Sequence, residues 1–244
     1  MVKLIKSVIH KQAENKEADW SAQLQPTAFG GTNFNTQNIV PVSPYSSYLQ
    51  IGQGTSTTQR VGNKITTRKL MLRFVATPAA YDATNNNTYM PQDVTIYFVK
   101  SRDTPVSLTS SSGLGGFFQS SSGSSAPTGN LYDQVKRVNN DAWIVCKKIN
   151  FKLGWSIQNG QNGANTNASN YFANNDYKYN VIRTINLTKW CPKTVLYNDN
   201  NTTPQSPTLQ MIILPSNADG TNYANSAQRQ INMFYQLYYE YEDI

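Results

Sequence analysis

Apolar and polar residues alternate with a period of two over several stretches of the chain, and a period of two is the signature of a half-buried strand. Leu70, Leu72 and Phe74 fall on one side of a strand over residues 64–76, with Lys69, Met71 and Arg73 on the other. Further strands are predicted at 93–100 (Asp93 to Lys100), 142–153, 209–214 closed by Pro215, and 231–241, with a strand pair across 177–197. A shorter strand is expected at Trp20–Leu24, followed by a long loop to Leu49. Residues 103–130 contain Ser-Ser-Ser-Gly-Leu-Gly-Gly and Ser-Ser-Ser-Gly-Ser-Ser, which reads as a flexible excursion. Within it Leu114, Phe117 and Phe118 are apolar anchors for a neighbour or a crevice, and Leu131–Val135 reads as a helical turn. A second Asn/Gly loop covers 156–175.

About eight strands joined by long, uneven connections predict an all-β chain. The expected fold is a single eight-stranded jelly-roll β-sandwich with long surface loops. The 244 residues suit one such domain. Residues 1–19 stand apart. Lys3, Lys6, Lys11 and Lys16 recur there among Leu4, Ile5, Val8 and Ile9, as a short amphipathic helix or as a strand preceded by a frayed arm. The expected division is therefore a short basic arm over 1–19 and a jelly-roll domain over 20–244.

Composition narrows the chemistry. Charged residues are 14% of the chain, yet the net charge is +7. A basic chain of polar neutral residues suits a polyanion bound by counterion release, or it merely aids solubility. A single histidine, His10, leaves no positioned base for a catalytic triad. Neither a GxGxxG nor a GxxxxGK[ST] loop occurs; Gly113-Leu114-Gly115-Gly116 lacks the lysine. The expectation is therefore a protein that is not an enzyme, with no catalytic residues, no cofactor and no metal site. Cys146 and Cys191 lie in expected strands without a CxxC, so both are expected to be free thiols. Glu240, Glu242 and Asp243 close the chain; such a cluster binds Ca²⁺, pairs with a neighbour's cations or, most simply, is solvated. No apolar run reaches the length of a membrane-spanning helix, and no membrane insertion is expected.

The cations concentrate at 60–73, where Arg60, Lys64, Arg68, Lys69 and Arg73 occur without an acid. Together with Lys3, Lys6, Lys11 and Lys16 they are the candidate nucleic-acid contacts, because backbone binding requires only such a surface with aromatics nearby. Trp20, Tyr45, Tyr48 and Trp143 are the candidate stacking rings, or else core residues.

The run Gln53-Gly54, then Gln59-Arg60-Val61-Gly62-Asn63-Lys64-Ile65, followed by the basic strand, resembles the capsid (coat) proteins of circular Rep-encoding single-stranded DNA viruses, the circovirus-like group. Ala13-Glu14-Asn15-Lys16, the strand Val94–Val99 and the terminal Tyr239-Glu240-Tyr241-Glu242-Asp243 resemble the same family in order and spacing. The resemblance implies a homo-oligomer, a T=1 icosahedral shell of about 60 subunits. It also implies a circular ssDNA genome inside, a host attachment receptor of unspecified kind, and residence in the virion, with the host nucleus as the place of assembly. The family usually opens with a long Arg/Lys-rich arm, and here only four lysines precede Trp20. The rival reading is an extracellular carbohydrate-binding, lectin-like β-sandwich whose Asn- and Tyr-rich loops form a sugar platform.

Overall fold

A computed structural model describes residues 14–26, 38–43, 49, 51–79, 91–102, 116–121, 123–154, 178–205, 209–218 and 231–243. These segments form eleven strands. They are β1 (Glu14–Leu24), β2 (Ile39–Pro41), β3 (Lys64–Pro78), β4 (Gln92–Ser101), β5 (Phe118–Ser120), β6 (Gly123–Ser125), β7 (Trp143–Leu153), β8 (Val181–Asn186), β9 (Thr194–Leu196), β10 (Gln210–Asn217) and β11 (Ile231–Asp243). One helical turn, α1, spans Tyr132–Val135, as expected, and a 3-10 turn spans Thr188–Trp190.

Nine of these strands build the two sheets of the sandwich, eight of them along its main paths. One sheet runs β1-β11-β3-β8, with β9 also on β3; the other runs β2-β10-β4-β7. Every pairing in both sheets is antiparallel. Counting only the eight, the first strand pairs with the last (β1 with β11), the second with the seventh (β2 with β10), the third with the sixth (β3 with β8) and the fourth with the fifth (β4 with β7). That nested pairing, wrapped into two sheets, is a jelly roll. The all-β jelly-roll expectation is met.

Two apolar layers hold it. Between the sheets lie Leu70, Leu72 and Phe74 of β3, Ile96 and Phe98 of β4, Met211 and Ile213 of β10, and Leu237 and Tyr239 of β11. A second cluster covers the outside of the β2-β10-β4-β7 sheet. There Phe117, Phe118, Val138 and Trp143 pack on Tyr97, Val99, Ile212 and Leu214. Ring centroids lie 5.4 Å apart for Tyr97–Phe117 and 4.8 Å apart for Phe117–Phe118, both near edge-on. Strands β4 and β10 are thus buried on both faces, which is why their sequences read as apolar runs rather than clean alternation. Phe117 and Phe118 fill a crevice of their own chain. The hairpin β5–β6 and α1 are carried on this cover.

Three boundaries differ from expectation. Strand β1 starts at Glu14 rather than Trp20, because its polar residues pair along β11, from Glu14↔Asp243 to Leu24↔Met233. Strand β10 passes through Pro215 to Asn217. Its neighbour β2 pairs only with Gln210–Ile212, so the missing Pro215 N–H falls on an unpaired stretch. Cys191 follows the 3-10 turn instead of lying in a strand. Both cysteines are free, Cys191 buried and Cys146 half-buried.

Candidate nucleic-acid interface

The candidate cations separate by burial. Lys3, Lys6 and Lys11 lie outside the described residues. Lys16 and Arg60 are corrections to the sequence reading: both are buried, at 3% and 0% exposure, where no phosphate reaches them.

Lys16 occupies an inward position of β1 opposite Tyr241. Its ammonium donates to Asp243 Oδ2 at 3.1 Å and to the Gln59 carbonyl at 2.6 Å, and it also lies 3.3 Å from the exposed Glu14 carboxylate. Asp243 in turn accepts from the backbone N–H groups of Val61 and Gly62. Two of the three terminal acids are therefore not solvated. Glu242 and Asp243 are both buried, and Asp243 joins the first strand, the last strand and the Arg60–Gly62 turn in one charge-assisted knot.

Arg60 holds the neighbouring loop. Its guanidinium donates to the Gly62 carbonyl and Asn63 Oδ1 from one nitrogen, and to the carbonyls of Asn198 (3.2 Å) and Asn201 (2.7 Å) from another. Its carbon lies 4.4 Å from the centre of the Tyr197 ring. A planar fork on an aromatic face, bridging two loops, is work that Arg does and Lys does not. Arg60 N–H also donates to the Gly52 carbonyl, and Gly54 N–H to the Arg60 carbonyl, which closes the loop ahead of β3. A Cβ at Gly54 would displace the end of the Gln59 side chain. The positive-φ glycines among the described residues are Gly123 and Gly129, so Gly62 does not serve through left-handed backbone.

The remaining cations sit on the outer face of the first sheet or at its end. Lys64 is exposed where β3 begins, and Arg73 is exposed further along. Between them the β3–β11 register slips beside Glu240 and Tyr241, leaving Arg68 as an extra residue. Such a bulge turns two successive side chains to the same side. Arg68 pairs with Glu242, and Lys69 pairs with Glu240 at 3.1 Å. The Lys69 hydrogen bond holds the Glu240 carboxyl below its usual range. The ammonium also lies 5.4 Å from the Tyr238 ring centre. Partial burial, then hydrogen bonds to Glu240 and Glu17, push the Tyr238 hydroxyl up to about 12.

Strand pairing thus brings carboxylates beside the basic strand. Glu240 and Glu242 arrive on β11, and Glu17 and Asp19 on β1, while β3 presents Arg68, Lys69 and Arg73. Residues 60–73 carry no acid in sequence, but the sheet face they join is charge-balanced.

Cations outside residues 60–73 meet aromatic rings. Lys147 and Lys189 lie 5.6 Å and 4.7 Å from the centre of the Trp190 ring, and Lys148 lies 5.1 Å from that of Tyr97 while donating to the Gln134 carbonyl. Burial lowers the Lys148 pKa. Of the proposed stacking rings, Trp143 is buried beneath Phe117, Trp20 is partly exposed, and Tyr45 and Tyr48 lie outside the described residues. Among the described residues no three His, Cys, Asp or Glu side chains gather as a metal site, and no helix is long and apolar enough to cross a membrane.

These features define a jelly-roll protein with a charge-patterned, open sheet face. No family model matches the chain, and no curated protein matches it. Among solved structures, the chain is similar to one from the T=3 Penaeus vannamei nodavirus, at 10% identity and a TM-score of 0.36, covering 94% of this chain and 54% of that one. It is also similar to one from the mud crab tombus-like virus, at 12% identity and a TM-score of 0.36, covering 95% and 91%. A chain of the Macrobrachium rosenbergii nodavirus gives 11% identity and a TM-score of 0.32, covering 95% and 59%. The chain spans about half the length of the two nodavirus chains. Likenesses this shallow decide neither fold nor function; the fold stands on its strand pairing.

Proposed function

We propose that this chain is a viral capsid protein that self-assembles into a small icosahedral shell around a nucleic-acid genome. The observation that supports the reading is the nested strand pairing, β1 with β11 through β4 with β7. It defines a sandwich used by viral coats and by lectins. The family resemblance of the Gln53–Ile65 element and the basic strand favours the coat, and extends the proposal to a T=1 shell of about 60 copies enclosing circular ssDNA. The protein's place is then the virion, with assembly in the host nucleus. Its work is assembly rather than catalysis.

Genome contact falls to Lys3, Lys6 and Lys11, with Lys64 in support. Lys16 and Arg60 are committed to the fold, and Arg68 and Lys69 are met by carboxylates. Replacing Lys3, Lys6 and Lys11 together by Ala is expected to lower the nucleic acid recovered in purified particles without changing the fold. Unchanged nucleic-acid content would refute the assignment. Particle mass tests the shell: about 60 copies of a 27.3 kDa chain give about 1.6 MDa of protein. A mass near three times that value would remove T=1 and keep a capsid. A glycan-binding monomer would favour the lectin-like reading.

A further inference from the structure

The sandwich has two outer faces, and residues 116–143 cover one of them with Phe117, Phe118 and Trp143. The other, the outside of β1-β11-β3-β8, presents a pattern. Glu17 and Asp19 on β1 and Glu240 on β11 make an acidic half, and Arg68, Lys69 and Arg73 on β3 make a basic half. Glu17, Glu240 and Lys69 share one row across the strands. Further along, Phe234, Val75 and Ile182 share another row. Phe234 is 48% exposed and Ile182 is 64% exposed. An aromatic and a branched aliphatic side chain side by side on a sheet surface gain by being covered.

We propose that a second copy of this chain docks on this face, sheet against sheet, about a two-fold axis parallel to the strands and between β11 and β3. The charge pattern selects that axis. A two-fold in the plane of the face and along the strands exchanges the acidic and basic halves and keeps each row in place. Glu240 of one copy then faces Lys69 of the other, and Phe234 of each faces Val75 of the other. A two-fold in the same plane but across the strands would set acid over acid. Lys69 and Glu240 already pair within the chain, but such a half-exposed pair contributes little in water, and covering it strengthens every attraction on the face. Four strands about 4.8 Å apart and about 3.3 Å per residue give a contact on the order of 500 Å² per copy. A standard stable interface buries about 800 Å² per partner. The contact is therefore weak for an isolated pair and effective when a closed assembly repeats it.

This inference rests on the assembly reading for its choice of partner, and its test separates the two. Two charge-reversed proteins are needed: Glu17→Lys with Glu240→Lys, and Lys69→Glu with Arg73→Glu. Sedimentation velocity over a concentration series reads self-association of each, of their equal mixture and of the unaltered chain. Each variant alone is expected to associate at least tenfold more weakly than the unaltered chain, and the mixture to recover a mixed dimer. The pair inside the chain is broken in both variants and stays broken on mixing, so recovery can arise only between copies. Phe234→Ser, which leaves every charge in place, is expected to weaken association with an unchanged circular dichroism spectrum. A mixture no more associated than its components, or Phe234→Ser associating like the unaltered chain, overturns the proposal. Normal shells from both charge variants would overturn this contact and leave the capsid reading standing. Dimers through this face from a chain that never closes a shell would do the reverse.

Discussion

Replacing Arg60 by Ala should cost the fold about 3 kcal/mol. The guanidinium is fully buried, donates to four oxygens on two loops and lies on the Tyr197 ring. A hydrogen bond to a charged group contributes roughly 1.5–3 kcal/mol, and a buried cation–π contact about 2. The four bonds share one side chain, and water enters once it is gone, so the sum is not additive. About 3 kcal/mol is the value that survives those offsets, and for a chain of this size it lowers Tm by about 6–12 °C. Arg60→Lys should recover less than half of the loss, because an ammonium cannot bridge both loops and stack at once. The assay is thermal and urea unfolding of the dissociated subunit followed by circular dichroism, with nucleic-acid affinity measured across salt concentrations on the same samples. A Tm within about 2 °C of the unaltered protein, accompanied by a shallower salt dependence of nucleic-acid binding, would refute the structural assignment and return Arg60 to the phosphate contacts.

Four further outcomes follow from named contacts. Asp243→Ala leaves the buried Lys16 with only the exposed Glu14 carboxylate and should destabilise the subunit by about 3 kcal/mol in urea unfolding, whereas a solvated acid would give less than about 0.5. Phe117→Ala should cost about 3–5 kcal/mol and speed amide exchange in residues 116–143 while the β3–β11 ladder stays protected; uniform exchange would contradict a separate covering layer. Burial pushes the Cys191 thiol up to about 11, so a thiol reagent at neutral pH should modify Cys146 in the folded subunit and Cys191 only after unfolding. Glu240 has a lowered folded pKa, so the stability it contributes is present above its unfolded value of 4.5 and is lost as pH falls through the folded one; Glu240→Gln should lower stability slightly at neutral pH and flatten that acid limb, and a changed pH slope on the alkaline side instead would contradict the sign.

The strands that the sequence pattern displays best are those with one dry and one wet face. Strand β3 alternates as read because Leu70, Leu72 and Phe74 face the core, while Lys69 and Arg73 face water. Strand β1 was legible only in its second half. Glu14, Lys16 and Asp19 have no apolar period, and β11 rather than local propensity holds them extended. The same long-range pairing explains the misread charges. Lys16 and Asp243 are 227 residues apart, and nothing near either marks it as buried. Arg60 reads as one more cation of a basic run until Asn198 and Asn201 are brought beside it from the far end of the chain. The acids that balance β3 are likewise invisible within residues 60–73. Phe117 and Phe118 were legible as anchors, because two aromatic residues at the edge of a Ser/Gly-rich stretch need cover; the surface they fill required the fold.

Electron microscopy of the purified protein in negative stain tests the central claim most directly. The assembly account predicts uniform closed shells of roughly 20 nm, the size that the family resemblance implies. A monodisperse 27.3 kDa monomer under salt conditions that favour assembly would contradict it and turn attention to glycans as the ligand.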